Sequence, residues 1–286
     1  MATTYLLTGA SGNVGQAILQ HFRHGPDDHL YQAVRRAAPG DTGQRWLDFE
    51  HPASFAPALQ GVDVVFLLRP PQLADVARYF APFIRACQQA RVQHLVFLSV
   101  QGADQLPFIP HARLEALIAA SSLTYTFIRP AYFMQNLTTL LADDIRVRHE
   151  LFLPAGRALF VWVDVSDVGR AIARVLETPA AHRNQQYTIT GSDRVDFGTV
   201  SRWLNQQLPF RVKYISPNLI RFCWHKRLEG VSWGYIGVLL LLHVLPRLRK
   251  APPLTTDYVQ LTGQQPQSLQ DFISQHNSVW QTSALE

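Results

Sequence analysis

The stretch Tyr5-Leu-Leu-Thr-Gly-Ala-Ser-Gly-Asn-Val-Gly15 decides the fold. It joins a short apolar run to three evenly spaced glycines, and a segment with helical apolar periodicity, 16–23, follows. A strand, a glycine turn and a helix in this order open the βαβ unit that binds dinucleotides. Gly9 allows the tight turn, Gly12 allows close approach of a pyrophosphate, and Gly15 lets the helix pack on the strand. We therefore predict a phosphate-binding loop at the first helix N-terminus, the alternative being a plain βα turn.

Apolar runs alternate with helical patterns over the first part of the chain. The apolar runs are 5–8, 30–34, 62–68, 94–99 and 124–129, and the further helical patterns are 74–90 and 112–121. Near-continuous apolar strands separated by helices predict an α/β fold with a doubly wound parallel sheet, the Rossmann fold. We expect residues 1–150 to form the NADP-binding core. Residues 151–286 are expected to add the remaining core elements and a smaller C-terminal substrate-binding or lid part, without a clear linker.

The composition is that of a globular protein. Of 286 residues, 47% are hydrophobic and 16% charged, so the chain can bury a sizeable core and is not mainly disordered. Cys87 and Cys223 show no metal-ligand spacing, and we predict neither a disulfide scaffold nor a metal site. No signal-peptide pattern is present, which favours a cytoplasmic location.

The positive charge is concentrated in one segment. Six basic residues and one acidic residue lie in 221–250, so this segment accounts for the net charge of +5 of the whole chain. A local patch of this kind does not predict nucleic-acid binding. The same segment holds an uncharged run, 230–246, that is too short to span a membrane. Three interpretations stay open: a buried helix or lid, a membrane-surface contact anchored by Trp224, Trp233 and Tyr235, or a surface for a partner protein.

The residues after the second apolar run bear on the choice of nucleotide. An acidic residue there would bind the ribose 2′-hydroxyl of NAD, whereas an arginine accommodates the 2′-phosphate of NADP. The chain has Arg35 and Arg36 at this place and no acid, and two guanidiniums suit a phosphate dianion. The sequence therefore predicts NADP(H) in preference to NAD(H), the alternative being two solvated surface arginines. Asp48 and Phe49, after the next strand, are expected near the adenine.

Further motifs resemble one family. The glycine spacing G-x-x-G-x-x-G is typical of the short-chain dehydrogenase/reductase superfamily, and the remaining motifs narrow the resemblance to its NmrA-like atypical members. These motifs lie at 62–68, 94–99, 125–136, 163–168, 187–191 and 261–266. The family includes NADPH-dependent quinone reductases, triphenylmethane-dye reductases, iminium reductases of the ergot-alkaloid type and redox-sensing regulators. The resemblance thus implies an NAD(P)H-dependent oxidoreductase.

The resemblance also implies which residues hold the cofactor. The phosphate loop corresponds to Gly9, Ser11, Gly12, Asn13 and Val14, and the 2′-phosphate position corresponds to Arg35. The ribose loop corresponds to Leu68 and Arg69, and the nicotinamide ribose lies at Ser99 and Val100. The segment that faces the nicotinamide corresponds to Pro130, Tyr132 and Phe133. Asp164 and Asp167 match acids that we expect to be structural, capping the helix that follows them.

The usual catalytic pair of the superfamily is absent. Ordinary members use Tyr-x-x-x-Lys, in which the lysine lowers the pKa of a proton-donating tyrosine. The chain has His111 and Glu115 at these positions, a departure that the NmrA-like group shares. His111 is a candidate proton donor near neutral pH, the alternative being a structural histidine at a helix start. Glu115 is expected to be solvated or to stabilise the helix.

Two functions remain for a nucleotide-binding chain without this pair. In the first, hydride passes to a small, apolar, electron-poor acceptor such as a quinone, an iminium ion or a conjugated alkene, and the protein supplies orientation and a dry pocket. In the second, the chain binds NADP(H) without turnover and acts as a redox sensor. The side chains predicted to line the acceptor pocket, each of which could instead belong to the core, are Phe133, Met134, Asn136, Phe160 and Trp162. The sequence names neither the substrate nor the oligomeric state.

Overall fold

Strands and helices alternate through the chain, which the computed structural model describes over residues 2–36, 38 and 40–281. The strands in these residues are β1 (Thr4–Thr8), β2 (His29–Val34), β3 (Gln44–Trp46), β4 (Val64–Leu68), β5 (His94–Leu98), β6 (Thr124–Pro130), β7 (Tyr132–Phe133), β8 (Glu150–Phe152), β9 (Phe160–Val163), β10 (Gln185–Ile189), β11 (Arg194–Val195) and β12 (Lys213–Ile215). The α-helices are α1 (Asn13–His21), α2 (Phe55–Leu59), α3 (Val76–Gln89), α4 (Pro110–Ala119), α5 (Ala142–Arg146), α6 (Val165–Glu177), α7 (Phe197–Gln207), α8 (Leu219–Leu228), α9 (Trp233–Val244), α10 (Asp257–Thr262), α11 (Leu269–Gln275) and α12 (Asn277–Gln281).

The chain forms two compact units, each assembled from separate segments. The first unit consists of 1–130, 165–189 and 256–265, and the second comprises the rest of the described chain. The core elements expected beyond residue 151 are therefore α6, β10 and α10. Because the chain returns twice to the first unit, a single boundary near residue 150 does not divide the two.

The first unit contains a seven-stranded parallel sheet. Its strand order is β3-β2-β1-β4-β5-β6-β10, and every adjacent pair is parallel. This arrangement confirms the predicted doubly wound Rossmann sheet. The strand order reverses beside β1, and ligands of such sheets bind outside the carboxyl ends of the strands at that reversal. The residues that follow β1, β2, β4 and β5 therefore decide what the unit can bind.

The central strands of this sheet are buried on both faces, which explains their continuous apolar sequence. Residues 64–67 and 94–98 are all buried. On one face, α3 contributes the rings of Phe80 and Phe83, which pack with Phe49 and Phe55 at centroid distances between 4.9 and 5.4 Å. Burying one such ring contributes about 1.5–3 kcal/mol to stability. This packing fixes the strands whose ends form the site.

The second unit has its own apolar core. It contains the sheet β11-β9-β7 and the parallel pair β12-β8. The rings of Tyr132, Phe160, Trp162 and Phe197 form an edge-to-face cluster in the middle, with centroid distances between 4.8 and 6.0 Å. No helix in the described part of the chain is long and apolar enough to cross a membrane.

Candidate cofactor and acceptor site

The glycine loop connects β1 to α1 through a close backbone approach. Gly9 has a φ of +68°, which favours glycine, and its carbonyl oxygen accepts the N–H of Gly12 at 3.0 Å. A Cβ on Gly15 would lie 2.3 Å from the same carbonyl oxygen, so no side chain fits there. The Gln16 side-chain amide donates to the Ala10 carbonyl at 2.8 Å. The loop is thus held tightly against the strand end.

The N-terminus of α1 presents unpaired donors to a ligand. Gly12 is the N-cap of this nine-residue helix, and because it has no side chain the first turn receives no side-chain cap. The first turn contains no acidic residue, and Ser11, Gly12 and Asn13 are exposed. A Cβ on Gly12 would meet only the Gly9 carbonyl oxygen, at 3.4 Å, among the described residues. A pyrophosphate would find N–H donors, the positive end of the helix dipole and room here.

Two buried polar atoms lack partners at the ends of neighbouring strands. Leu68 of β4 pairs with Leu98 of β5, so Arg69 and Ser99 follow at matching positions. Within the described chain, the Ser99 hydroxyl and the Arg69 Nε are buried and make no hydrogen bond. Buried polar atoms almost always have a partner, so this pair indicates a polar ligand at the sheet edge. The residues present therefore fit a dinucleotide whose ribose runs past these strands.

Neighbouring residues hold these strand ends in place. The Leu68 N–H donates to the Thr8 hydroxyl at 2.8 Å, and a Cβ on Gly9 would lie 3.4 Å from the Leu68 side chain. Beyond the half-buried Val100, the Gln101 N–H donates to the carbonyl oxygen of buried Pro130 at 2.9 Å. Thr8 was not predicted as part of the site, although a polar residue ending an apolar strand is a signal for such a contact.

The two arginines after β2 lie at the same sheet edge. Thr8 at the end of β1 pairs with Ala33 of β2, so Arg35 and Arg36 extend just beyond the strand ends. Both side chains are exposed, and neither forms an ion pair with any residue that the structure describes. They are available to an anionic group bound at this edge.

The structure separates the two residues predicted to lie near an adenine. Asp48 is half-buried, and its carboxylate accepts the N–H of Glu50 at 3.0 Å and lies 3.1 Å from Nδ1 of His51. The ring of Phe49 instead packs in the aromatic core beside α3, 4.9 Å from the ring of Phe80. Asp48 remains a candidate for nucleotide contact, whereas the Phe49 ring stabilises the sheet.

His111 lies at the start of α4 in a setting that keeps it neutral. Its ring stacks on that of Phe97, with the centroids 6.2 Å apart. Burial, with a smaller contribution from the Arg69 guanidinium, lowers the pKa of His111 to about 3. The imidazole therefore carries no imidazolium proton to donate at neutral pH, and the geometry favours the structural role for this residue.

Glu115 is buried, and the expectation that it is solvated is wrong. Its carboxylate accepts two hydrogen bonds from Arg129, at 2.9 Å from Nε and 2.6 Å from Nη2. Asp104 lies 3.7 Å from the same guanidinium. Arg129 is the single charge in strand β6, and a buried charge needs a partner. That lone arginine was the sequence signal that could have identified the pair.

A tyrosine and a histidine are paired inside the second unit. The Nδ1 of His243 donates to the Leu239 carbonyl at 2.8 Å, so its Nε2 accepts from the Tyr132 hydroxyl at 3.0 Å. Burial lowers the pKa of His243 to about 4 and raises that of Tyr132. Both groups are thus neutral, and the Tyr132 side chain points into the core of its unit. This role of His243 was not predicted from the sequence.

The predicted pocket residues differ in burial. Met134, Phe160 and Trp162 are buried in the core of the second unit, which favours the core role that the sequence left open. Phe133 and Asn136 are only half-buried, so they are the accessible members of the set.

Asp164 and Asp167 are both buried. Asp164 accepts from the Gln135 amide at 3.0 Å, and Asp167 accepts from the Tyr258 hydroxyl at 2.7 Å. These contacts agree with structural roles for both acids. Among the described residues, no three His, Cys, Asp or Glu side chains are grouped so that they could hold a metal ion.

Comparison with known proteins agrees with this site. A family model described as NAD(P)H-binding matches residues 9–179, more than half of the chain. The chain belongs to this NAD(P)H-binding family. The match begins at the first glycine of the loop and includes β4, β5 and β6, whose ends form the site.

Several named relatives are oxidoreductases. The (4-alkanoyl-5-oxo-2,5-dihydrofuran-3-yl)methyl phosphate reductase of Streptomyces griseus is 32% identical over 72% of this chain and 75% of its own. The agroclavine dehydrogenase of Claviceps fusiformis is 25% identical over 97% of this chain and 98% of its own. At the level of the family, they confirm the prediction of an NAD(P)H-dependent oxidoreductase.

Solved structures share the whole fold. The triphenylmethane reductase of Citrobacter sp., complexed with NADP(H), has a TM-score of 0.81 at 19% identity, covering 95% of this chain and 99% of its own. The NADPH-dependent quinone oxidoreductase of Escherichia coli, complexed with NADPH, has a TM-score of 0.81 at 21% identity and the same coverage. NmrA, a negative transcriptional regulator crystallised with NADP, has a TM-score of 0.73 at 15% identity, covering 96% of this chain and 94% of its own. These neighbours share the fold that the resemblance to NmrA-like atypical short-chain dehydrogenases implies.

Proposed function

We propose that the chain is an NADPH-dependent reductase of small, apolar, electron-poor acceptors. The observation that carries the proposal is the partnerless Ser99 hydroxyl and Arg69 Nε at the ends of strands beside the uncapped N-terminus of α1. The loop 9–15 would hold the pyrophosphate, and Ser99 with Arg69 would contact the ribose side. A bound nicotinamide supplies a hydride to the acceptor.

The cofactor preference rests on the arginines after β2. Arg35 and Arg36 are exposed at the carboxyl edge, and no acidic residue stands at the end of β2 to bind a ribose 2′-hydroxyl. Two guanidiniums would form charge-assisted hydrogen bonds with a 2′-phosphate. NADPH is therefore the proposed cofactor in preference to NADH.

The acceptor class rests on the missing proton donor. His111 is neutral, and Glu115 is held by two hydrogen bonds to a buried arginine, so neither can act as the tyrosine–lysine pair does. A saturated ketone needs a proton delivered as hydride arrives, whereas a quinone, an iminium ion or a conjugated alkene is already electrophilic. The names of the quinone oxidoreductase and triphenylmethane reductase neighbours support this class.

The test is NADPH oxidation by the purified chain with a panel of acceptors. The panel contains a quinone, a triphenylmethane dye, a cyclic iminium ion, a conjugated enone and a saturated ketone, each also assayed with NADH. We expect turnover of at least one of the first four acceptors, faster with NADPH, and none of the saturated ketone. Reduction of the ketone at a comparable rate would contradict the acceptor class.

A second candidate is a sensor that binds NADP(H) without turnover. The specific observation in its favour is the absence of a proton donor at the His111 and Glu115 positions, together with the fold shared with the regulator NmrA. Tight NADPH binding with no oxidation by any electrophilic acceptor would favour this candidate over the reductase.

A further inference from the structure

The segment 219–248 of the second unit forms a helical hairpin with an apolar outer side. Helix α8 ends at Leu228, α9 begins at Trp233, and the two helices pack against each other. The Arg227 guanidinium links them, because it donates to the Val231 carbonyl at 2.7 Å and lies 5.4 Å from the Trp233 ring centre. The hairpin is therefore a defined element with a fixed outer surface.

The inner side of the hairpin is already occupied by its own unit. Phe222 of α8 is fully buried and stacks with Phe152. Lys226 is buried and lies 3.4 Å from a carboxylate oxygen of Asp144. On α9, His243 makes the buried hydrogen bond with Tyr132 described above. Since these contacts face inward, the residues on the opposite side of both helices have no core left to fill.

On α8, the outer side carries a stripe of large apolar side chains. Ile220, Trp224 and Leu228 are 83%, 68% and 74% exposed. They are spaced four residues apart, which places them in line along one face of the helix. Isolated exposed apolar residues are ordinary, whereas an aligned set of this size marks an interaction surface.

The outer side of α9 is also apolar and carries no charged residue. Trp233 is 62% exposed, and Val238, Leu241 and Leu242 are also exposed. The sequence 233–244 contains no Asp, Glu, Lys or Arg. These four residues and the three of the α8 stripe are called the apolar outer face below.

Basic side chains flank the apolar outer face along the chain. The exposed basic residues of 219–250 are Arg221, Arg227, Arg247, Arg249 and Lys250. The segment's acidic residue, Glu229, is neutralised within the chain, because its carboxylate pairs with Arg148 and lies 2.9 Å from Nζ of Lys226. The flanks of the apolar outer face are therefore strongly cationic.

We propose that the apolar outer face docks on the surface of an anionic lipid bilayer. Apolar side chains would enter the boundary between headgroups and acyl chains, while the flanking arginines and Lys250 would meet lipid phosphates and carboxylates. Trp224 and Trp233 are suited to this depth, because tryptophan is enriched at membrane–water interfaces. Charge complementarity selects this partner. An anionic bilayer surface buries the apolar outer face and also pairs with the basic side chains that flank it, called the cationic rim below.

Other occupants fit the observations less well. A twelve-residue helix extends about 18 Å, against about 30 Å for the hydrocarbon core, so α9 lies on a bilayer and does not cross it. A second copy meeting this face about a two-fold axis would bring two cationic rims together, which costs binding energy. An anionic partner avoids that repulsion.

The test is co-sedimentation of the full chain with vesicles of phosphatidylcholine, with and without phosphatidylserine. We expect strong binding only when phosphatidylserine is present, and weaker binding as salt is raised. Trp224→Ser with Leu228→Ser should lower the vesicle partition coefficient about tenfold or more. Arg249→Gln with Lys250→Gln should lower it about fivefold per charge removed. Trp46→Ser, an exposed tryptophan of the first unit, is the matched control and should leave binding unchanged.

Three results would overturn the proposal. The first is no binding to either vesicle by the wild-type chain. The second is equal binding to both vesicles, because the cationic rim would then have no role. The third is concentration-dependent dimerisation that Trp224→Ser abolishes in the absence of vesicle binding, which would assign the face to a second copy. Circular dichroism of each variant shows whether a loss of binding comes from the face or from unfolding.

Discussion

Replacing Gly12 by alanine tests whether the glycine loop is a ligand site or only a turn. Gly12 has φ of −85° and ψ of 171°, a conformation that alanine adopts without strain. The new Cβ would lie 3.4 Å from the Gly9 carbonyl oxygen, an ordinary contact. The fold therefore has room for the methyl group, whereas a pyrophosphate that must approach the backbone here does not.

The expected effects on stability and on binding differ in size. Alanine is a poorer N-cap than glycine by up to about 1 kcal/mol, and reduced freedom of the unfolded chain offsets this by about 0.4–1 kcal/mol. The free energy of unfolding should stay within about 0.5 kcal/mol of the wild-type value. Loss of a charge-assisted hydrogen bond to phosphate costs about 1.5–3 kcal/mol, which raises the Kd for NADPH about 10- to 150-fold.

The assay combines calorimetric titration of NADPH with urea unfolding of the cofactor-free chain. Gly15→Ala is the comparison variant, because its Cβ would stand 2.3 Å from the Gly9 carbonyl oxygen. Overpacking of this kind costs about 1–3 kcal/mol, so Gly15→Ala should lose stability as well as binding. If Gly12→Ala binds NADPH as tightly as the wild type, the loop does not hold the pyrophosphate and the assignment fails.

Three other changes test the remaining site residues. Arg35→Asp should weaken the binding of NADPH much more than the binding of NADH, and equal weakening for both nucleotides would contradict the 2′-phosphate assignment. The control is Arg85→Asp, which changes an exposed charge on α3 and should alter the binding of neither nucleotide. His111→Phe, which keeps a ring on Phe97, should lower kcat/KM less than about tenfold, against about 10²–10⁴-fold for a general acid. Since the pKa of His111 is lowered, its imidazole is neutral and should add no inflection to the pH profile of kcat/KM between about pH 5 and 8. Glu115→Lys would put a second cation beside the buried guanidinium of β6 and should lower the free energy of unfolding in urea by about 3–5 kcal/mol; an unchanged value would contradict the ion pair.

The first unit could be predicted from sequence because its signals are local. The apolar runs 30–34, 94–99 and 124–129 correspond to β2, β5 and β6. The signal is clearest at β5, which is buried throughout, because a strand covered on both faces needs apolar sequence. The loop 9–15 was predictable for the same reason, because the backbone geometry that requires each glycine is set by residues close to it in sequence.

The second unit and the side-chain pairs could not be predicted this way. The bond between Tyr132 and His243 joins residues 111 positions apart, and no local pattern identifies such partners. The ring of Phe49 entered the core because three rings of α2 and α3 surround it, which the sequence near the strand end does not reveal. Helix α9 is apolar on both sides, so periodicity could not separate its buried side from its outer one.

The most direct test of the reductase assignment is a single turnover with the protein in excess over NADPH. The near-ultraviolet absorbance of the bound cofactor is followed after mixing with a quinone or an iminium dye, and separately with a saturated ketone. We expect stoichiometric oxidation of bound NADPH by an electrophilic acceptor and none by the ketone. Bound NADPH that stays reduced with every electrophilic acceptor would contradict the reductase and leave the sensor as the function of this chain.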